Sequence, residues 1–204
     1  MKITQDDLKS FVPCLSEPGP KHLLHVGCGT APKNRLPECF KAENWREIRL
    51  DIDPKVNPDI VASLTDMSEV ASATMDAIWS SHNIEHLEGF QVDTALKEFI
   101  RVLKPGGFAL VTLPDMDPVI RLLAEGKGDD VLYTSPAGPI TPLDMLFGHQ
   151  LSIARGNVHM AHRTAFNARR LGSFLVKAGF GDVRVISGSS YDLWAVAVKT
   201  KQSS

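Results

Sequence analysis

Short apolar runs alternate with segments of helical period along most of this chain. His22–Val26 reads as a first buried strand, Glu47–Ile52 as a second and Asp59–Ala62 as a weak third. Asp76–Ser81 reads as a fourth strand and Phe108–Leu113 as a strongly apolar fifth. Asn34–Asn44 reads as a short helical stretch with Pro37 near its start, and Asp66–Ala71 as another. The clearest helix is Gly89–Leu103, where Phe90, Val92, Leu96, Phe99, Ile100 and Leu103 recur at helical spacing. Lys104-Pro105-Gly106-Gly107 ends it and turns the chain into the fifth strand. Met116–Ala124 is also helical. Gly126–His162 then has many glycines and prolines and no clear period. That is too long for a plain connection in a compact domain, so it is expected to carry function. Thr164–Ala178 closes the helical set, with Thr164 as N-cap and Gly179 as the residue beyond its end. Val183–Ile186 and Leu193–Val198 are two last strands, joined by a link short enough for an antiparallel hairpin. Met1–Phe11 is expected to form a short helix, and the tail Lys199–Ser204 to fray.

Strands alternating with helices imply an α/β fold with a doubly wound, mostly parallel sheet. The closing hairpin adds one antiparallel strand near the C-terminus, which makes seven strands in a Rossmann-like sheet. At 204 residues the chain suits a single domain (1–204) with a large core, and 126–163 is read as an insertion covering a substrate. An apolar fraction of 43% and a net charge of −2 fit a soluble globular protein with no pull towards nucleic acid or membrane. No apolar run approaches the roughly 20 residues of a membrane span, and the N-terminus lacks the apolar region of a signal peptide. The three widely spaced cysteines argue for a reducing compartment, and the cytoplasm is the expected location.

Chemistry enters at Gly27-Cys28-Gly29, where the first strand stops. A Gly-x-Gly turn there brings bare backbone close to a ligand at the strand's C-terminal edge. A dinucleotide fingerprint needs a third glycine three residues on. That position is Pro32, which disfavours a nicotinamide oxidoreductase. Asp51 ends the second strand, where a carboxylate can accept bonds from both ribose hydroxyls, and Asp53 is its competitor.

Four segments together resemble the class I S-adenosylmethionine-dependent methyltransferases of the type 11 branch. They are HVGCGT, RLDIDP, MDAIWSSHNIEHL and RVLKPGGFALVTLP, in that order and spacing. LDMLFGHQ and NVHMAHRTAF also resemble a subgroup of such enzymes to which no substrate is assigned. The resemblance implies S-adenosyl-L-methionine as cofactor. It implies cofactor contacts at His25, Gly27, Cys28, Gly29, Asp51, Ile52, Ser63, Leu64, Ser81 and His82. An acidic adenine contact often follows the family's third strand. Here Ser63 stands nearest, with the Leu64 backbone and Asp66 as alternatives.

His82 is the one candidate general base, since its ordinary pKa suits neutral pH; lining the cofactor site is the alternative. His149, Arg155, His159, His162 and Arg163 are candidate substrate contacts in the irregular segment. His159 and His162 have a spacing found in metal sites, but no cysteine or carboxylate matches it nearby, so no metal is expected. Glu85-His86 is read as a cap or a tie to a neighbouring loop. The activity expected is in-line methyl transfer to a small-molecule acceptor. A non-catalytic fold that only holds the cofactor or its product is the alternative. A homo-oligomer is left open.

Overall fold

The computed structural model describes residues 19–30 and 36–201. The expected helix at Met1–Phe11 and the last residues of the tail lie outside them. Strands are β1 (Lys21–Val26), β2 (Trp45–Asp51), β3 (Ile60–Val61), β4 (Met75–Ser81) and β5 (Leu103–Pro114). A small hairpin, β6 (Tyr133–Ser135) and β7 (Gly138–Ile140), is followed by β8 (Asp182–Ser187) and β9 (Asp192–Val198). The α-helices are α1 (Val92–Val102), α2 (Met116–Ala124), α3 (Pro142–Phe147), α4 (Gln150–Ala154) and α5 (Ala168–Ala178).

The main sheet runs β3-β2-β1-β4-β5-β9-β8. All its pairings from β3 to β5 are parallel, and β9 runs antiparallel to both β5 and β8. The chain moves outward from β1 through β2 to β3, then crosses back to place β4 on the other side of β1. The resulting switch point between β1 and β4 is where open α/β sheets bind their ligands, at the strands' C-terminal ends.

Both faces of the sheet are covered. Phe99, Val102, Leu171 and Leu175 from α1 and α5 join Leu24, Ile78 and Val111 in one core. Leu23, Phe40, Trp79, Phe108 and Val196 form the other, with Trp79 stacked on Trp194 at 5.8 Å. A third cluster holds Met116 and Val119 of α2 against Met145 of α3. It anchors the 126–163 segment to the domain.

Several expectations shift. α1 begins at Val92, and Phe90 is 80% exposed, outside the apolar face to which its spacing assigned it. Lys104-Pro105-Gly106-Gly107 lies inside β5 as an irregularity. Met75 pairs Leu103 and Ala77 pairs Phe108, so β5 spends three more residues than β4 between the two pairs. Asp66–Ala71 forms turns instead of a helix, with the Asp66 carboxylate accepting from Ser68 N–H. Of Asn34–Asn44, the described part holds a 3-10 turn at Glu38–Phe40. α5 is capped by Asn167, whose side chain accepts from Arg170 N–H, and so starts four residues after Thr164. Lys199 is tied down, its Nζ donating to the carbonyls of Ile100 and Leu103 at 2.7 Å.

Phe99 is fully buried where α1 meets the sheet. Phe99→Ala should therefore lower unfolding free energy by about 3–5 kcal/mol in denaturant titration. A loss below about 1 kcal/mol would show that α1 does not hold this face closed.

Candidate functional site

The glycine turn is built from both sides. Gly27 and Gly29 have φ of +57° and +53°, a region L side chains rarely adopt. From β2, the Asp51 carboxylate accepts from Gly29 N–H at 2.8 Å and from Asp53 N–H at 2.9 Å. Arg49 Nη2 donates to the Gly29 carbonyl at 2.6 Å. From the loop after β4, Asn83 Nδ2 donates to the Val26 carbonyl at 2.8 Å. A Cβ on Gly27 would land on the Asn83 side-chain amide. The first glycine is thus demanded twice, by its φ and by Asn83.

These groups line a cleft of about 310 Å³ at the ends of β1, β2 and β4. Of the residues expected to touch the cofactor, Gly27, Gly29, Asp51, Ile52, Ser63, Leu64 and His82 line it. His25, Cys28 and Ser81 do not. His25 is buried with Nδ1 2.8 Å from Glu47 Oε1, and burial holds its pKa below the ordinary value against the pull of Glu47. Cys28 is 2% exposed, and burial raises its thiol pKa. Both act as packing beneath the turn. Asp53 lines the cleft too, but its carboxylate also caps the 3-10 turn Pro54–Val56 by accepting from Lys55 N–H.

His82 is the first residue beyond β4 and has φ +52°, a strained conformation for a residue with a Cβ. Its N–H donates to the Thr112 carbonyl at 2.8 Å, which ties this bend to β5. The imidazole is half exposed and its Nδ1 stands 3.3 Å from Glu85 Oε1. The surrounding protein acts to lower the His82 pKa, but the Glu85 carboxylate outweighs it and raises it. Glu85 itself is buried, which favours its neutral form, yet His82, His86 and His162 hold its pKa below the ordinary value.

The 126–163 segment contributes Asn157, His159, Met160 and Arg163 to the lining of the cleft. The Arg163 guanidinium pairs with Glu88 at 2.7 Å. The other expected substrate contacts go elsewhere. His149 is buried, with Nδ1 2.7 Å from Ser152 Oγ, and Arg155 is exposed at the end of α4. His162 sits beside His86, its Nδ1 donating to the Met145 carbonyl at 2.8 Å. His86 and Met160 are lining residues that sequence reasoning did not select. Asn83 lies two residues beyond the fourth strand, at the cleft the fold predicts, and lines it.

The family model described as a methyltransferase domain matches residues 24–111, the stretch from β1 to β5 that carries the glycine turn, Asp51 and the His82 bend. That match spans 88 of the chain's 204 residues and supports a methyltransferase domain that uses S-adenosylmethionine as its cofactor. A search of curated proteins by sequence finds no match. Among solved structures the fold is similar to a SAM-dependent methyltransferase from Methanosarcina mazei. The TM-score is 0.61 at 13% identity, covering 99% of this chain and 100% of that one. It is also similar to a SAM-dependent methyltransferase from Archaeoglobus fulgidus (TM-score 0.58, 15% identity, 95% and 92% covered). A third is the 1,6-didemethyltoxoflavin-N1-methyltransferase of Burkholderia thailandensis, solved with bound 1,6-didemethyltoxoflavin and S-adenosylhomocysteine. There the TM-score is 0.56 at 13% identity, with 97% and 78% covered. At these identities the likeness is one of fold. Among the described residues no helix is long and apolar enough to cross a membrane.

Gly27→Ala should cost about 1–2 kcal/mol from its φ alone and more from the collision with Asn83. Thermal denaturation of Gly27→Ala, Asn83→Ala and the double variant should show less-than-additive loss. Strict additivity would mean that Asn83 does not impose the glycine.

Proposed function

We propose that this enzyme methylates a small-molecule acceptor held between the cofactor's sulfonium and the 126–163 segment. The observation that carries the reading is the lining of the cleft. Asn157, His159 and Met160 of the 126–163 segment line the same cleft that the glycine turn and Asp51 line. The net charge of −2 offers no polyanion footprint.

The proposed orientation places the cofactor's ribose at Asp51, whose two oxygens each accept one backbone hydrogen bond and keep further lone pairs. The methionine end lies over Gly27–Gly29, and the adenine lies beside Ser63 and Leu64. His82, half exposed at the end of β4, faces the reacting centre in this reading and takes a proton when the acceptor must lose one. The sulfonium is intrinsically reactive, so the chain's main work is alignment and exclusion of water. Holding the partners in line can supply roughly 7–11 kcal/mol of the barrier. A reducing cytoplasmic setting fits the buried, unpaired thiols of Cys28 and Cys39.

Asp51→Ala should weaken S-adenosylhomocysteine binding at least tenfold in calorimetry, about 1.4 kcal/mol, while Asp53→Ala changes it less than about threefold. Equal losses would return the ribose contact to Asp53.

The acceptor class is tested with a radiolabelled methyl donor, the enzyme and a cell extract separated into small molecules and macromolecules. Label should accumulate in the small-molecule fraction. His159→Ala should lower that rate about tenfold with cofactor affinity unchanged. Label confined to protein or nucleic acid would overturn the reading.

A further inference from the structure

Glu85, His86 and His162 meet at one point at the edge of the cleft, although 76 positions separate His86 from His162. One ligating atom from each lies within 4.8 Å of the others. Glu85 is 1% exposed, and neither carboxylate oxygen has a hydrogen-bond partner. The His82 imidazole stands 3.3 Å away without hydrogen-bond geometry. A carboxylate stripped of both water and donors carries a penalty of several kcal/mol unless a cation sits beside it.

The two imidazoles are prepared to supply that cation's other ligands. His86 Nδ1 faces the Ala161 carbonyl at 3.1 Å, and His162 Nδ1 faces the Met145 carbonyl at 2.8 Å. A carbonyl only accepts, so each Nδ1 carries the proton. In a neutral ring this leaves Nε2 as a free lone pair. A backbone carbonyl fixing Nδ1–H is the usual support of a metal-bound histidine. The rings meet edge to face, 4.9 Å between centroids, instead of stacking.

We propose that Glu85, His86 and His162 bind a first-row divalent transition cation of the zinc or ferrous-iron type. Two imidazoles and one carboxylate suit those ions and not magnesium or calcium, which take oxygen ligands. Neighbouring ligands on such an ion stand about 3.4 Å apart. The sequence spacing that argued against a metal considered neighbours in the chain, whereas these ligands come from two distant segments.

The site fastens the 126–163 segment to the turn after β4. Backbone bonds already meet there: Arg163 and Thr164 N–H donate to the Glu85 carbonyl, and Gly148 bridges Ala161. A Cβ on Gly148 would strike the Met160 carbonyl, so the two strands of chain touch closely beside the cluster. His86 also lines the cofactor cleft, so the cation borders the place where the acceptor enters.

The test uses full-length protein stripped with a chelator and titrated with zinc chloride in a calorimeter, with bound metal counted by mass spectrometry. One zinc per chain is expected. Glu85→Gln, His86→Ala and His162→Ala should each weaken it at least tenfold, and His22→Ala, at the start of β1, should not. Zinc should also slow proteolysis within 126–163 in the unsubstituted protein only. Less than a tenth of an equivalent bound, or equal binding by His162→Ala, overturns the site. Where a variant does not fold, X-ray absorption of the zinc-loaded unsubstituted protein decides. Two imidazoles with oxygen support the assignment, and sulfur or oxygen alone defeats it.

Discussion

The turn Gly27-Cys28-Gly29 is gripped from both of the strands that flank β1, and the rest of the site depends on that grip. Asp51 at the end of β2 takes the Gly29 amide, and Asn83 beyond β4 takes the Val26 carbonyl. The Asn83 bond crosses the switch point between β1 and β4, where the two halves of the sheet diverge, and the Asp51 bond ties the same turn to β2. The turn's shape is a property of three strand ends held at fixed register. The Asp51 carboxylate is therefore a structural strut in the free enzyme, with lone pairs left over for a ligand. A carboxylate fixed in this way before a ligand arrives lowers the ordering cost of binding.

The 126–163 segment solves a different problem. Its helices are short and its hairpin has three residues a side, so none of these pieces is stable alone. Order comes from three anchors: the Met116–Val119–Met145 cluster, the capping box at Thr141 and Asp144, and the meeting of its far end with Glu85. The segment is fastened at both ends, and the stretch Asn157–Met160 between them reaches the cleft.

How much was legible follows from where each signal resides. The sheet could be read because buried parallel strands leave short apolar runs and α1 and α5 leave strong periodicity. Gly27, Gly29 and Asp51 could be read because a strand end and its turn are local. Phe90 fits the period of α1 but precedes its first turn, and spacing alone does not say where a helix begins. Thr164 and Asn167 are both good caps; the choice fell to Asn167 because Phe166 must first be buried against the sheet. Cys28 sits between two ligand-facing glycines, yet the turn directs its side chain to the core. The elements of 126–163 are too short for a period to emerge. His86 and His162 belong together only through tertiary folding, which no local pattern encodes.

The place of β9 bears on how this chain must be made. β9 lies between β5 and β8 although it comes last, so β5 is an open edge throughout synthesis of everything that follows it. That edge displays Phe108–Leu113, an almost wholly apolar run and a ready template for pairing with another nascent chain. The hazard closes only when the final strand slots in. Completion of the sheet therefore waits until β9 itself has been made.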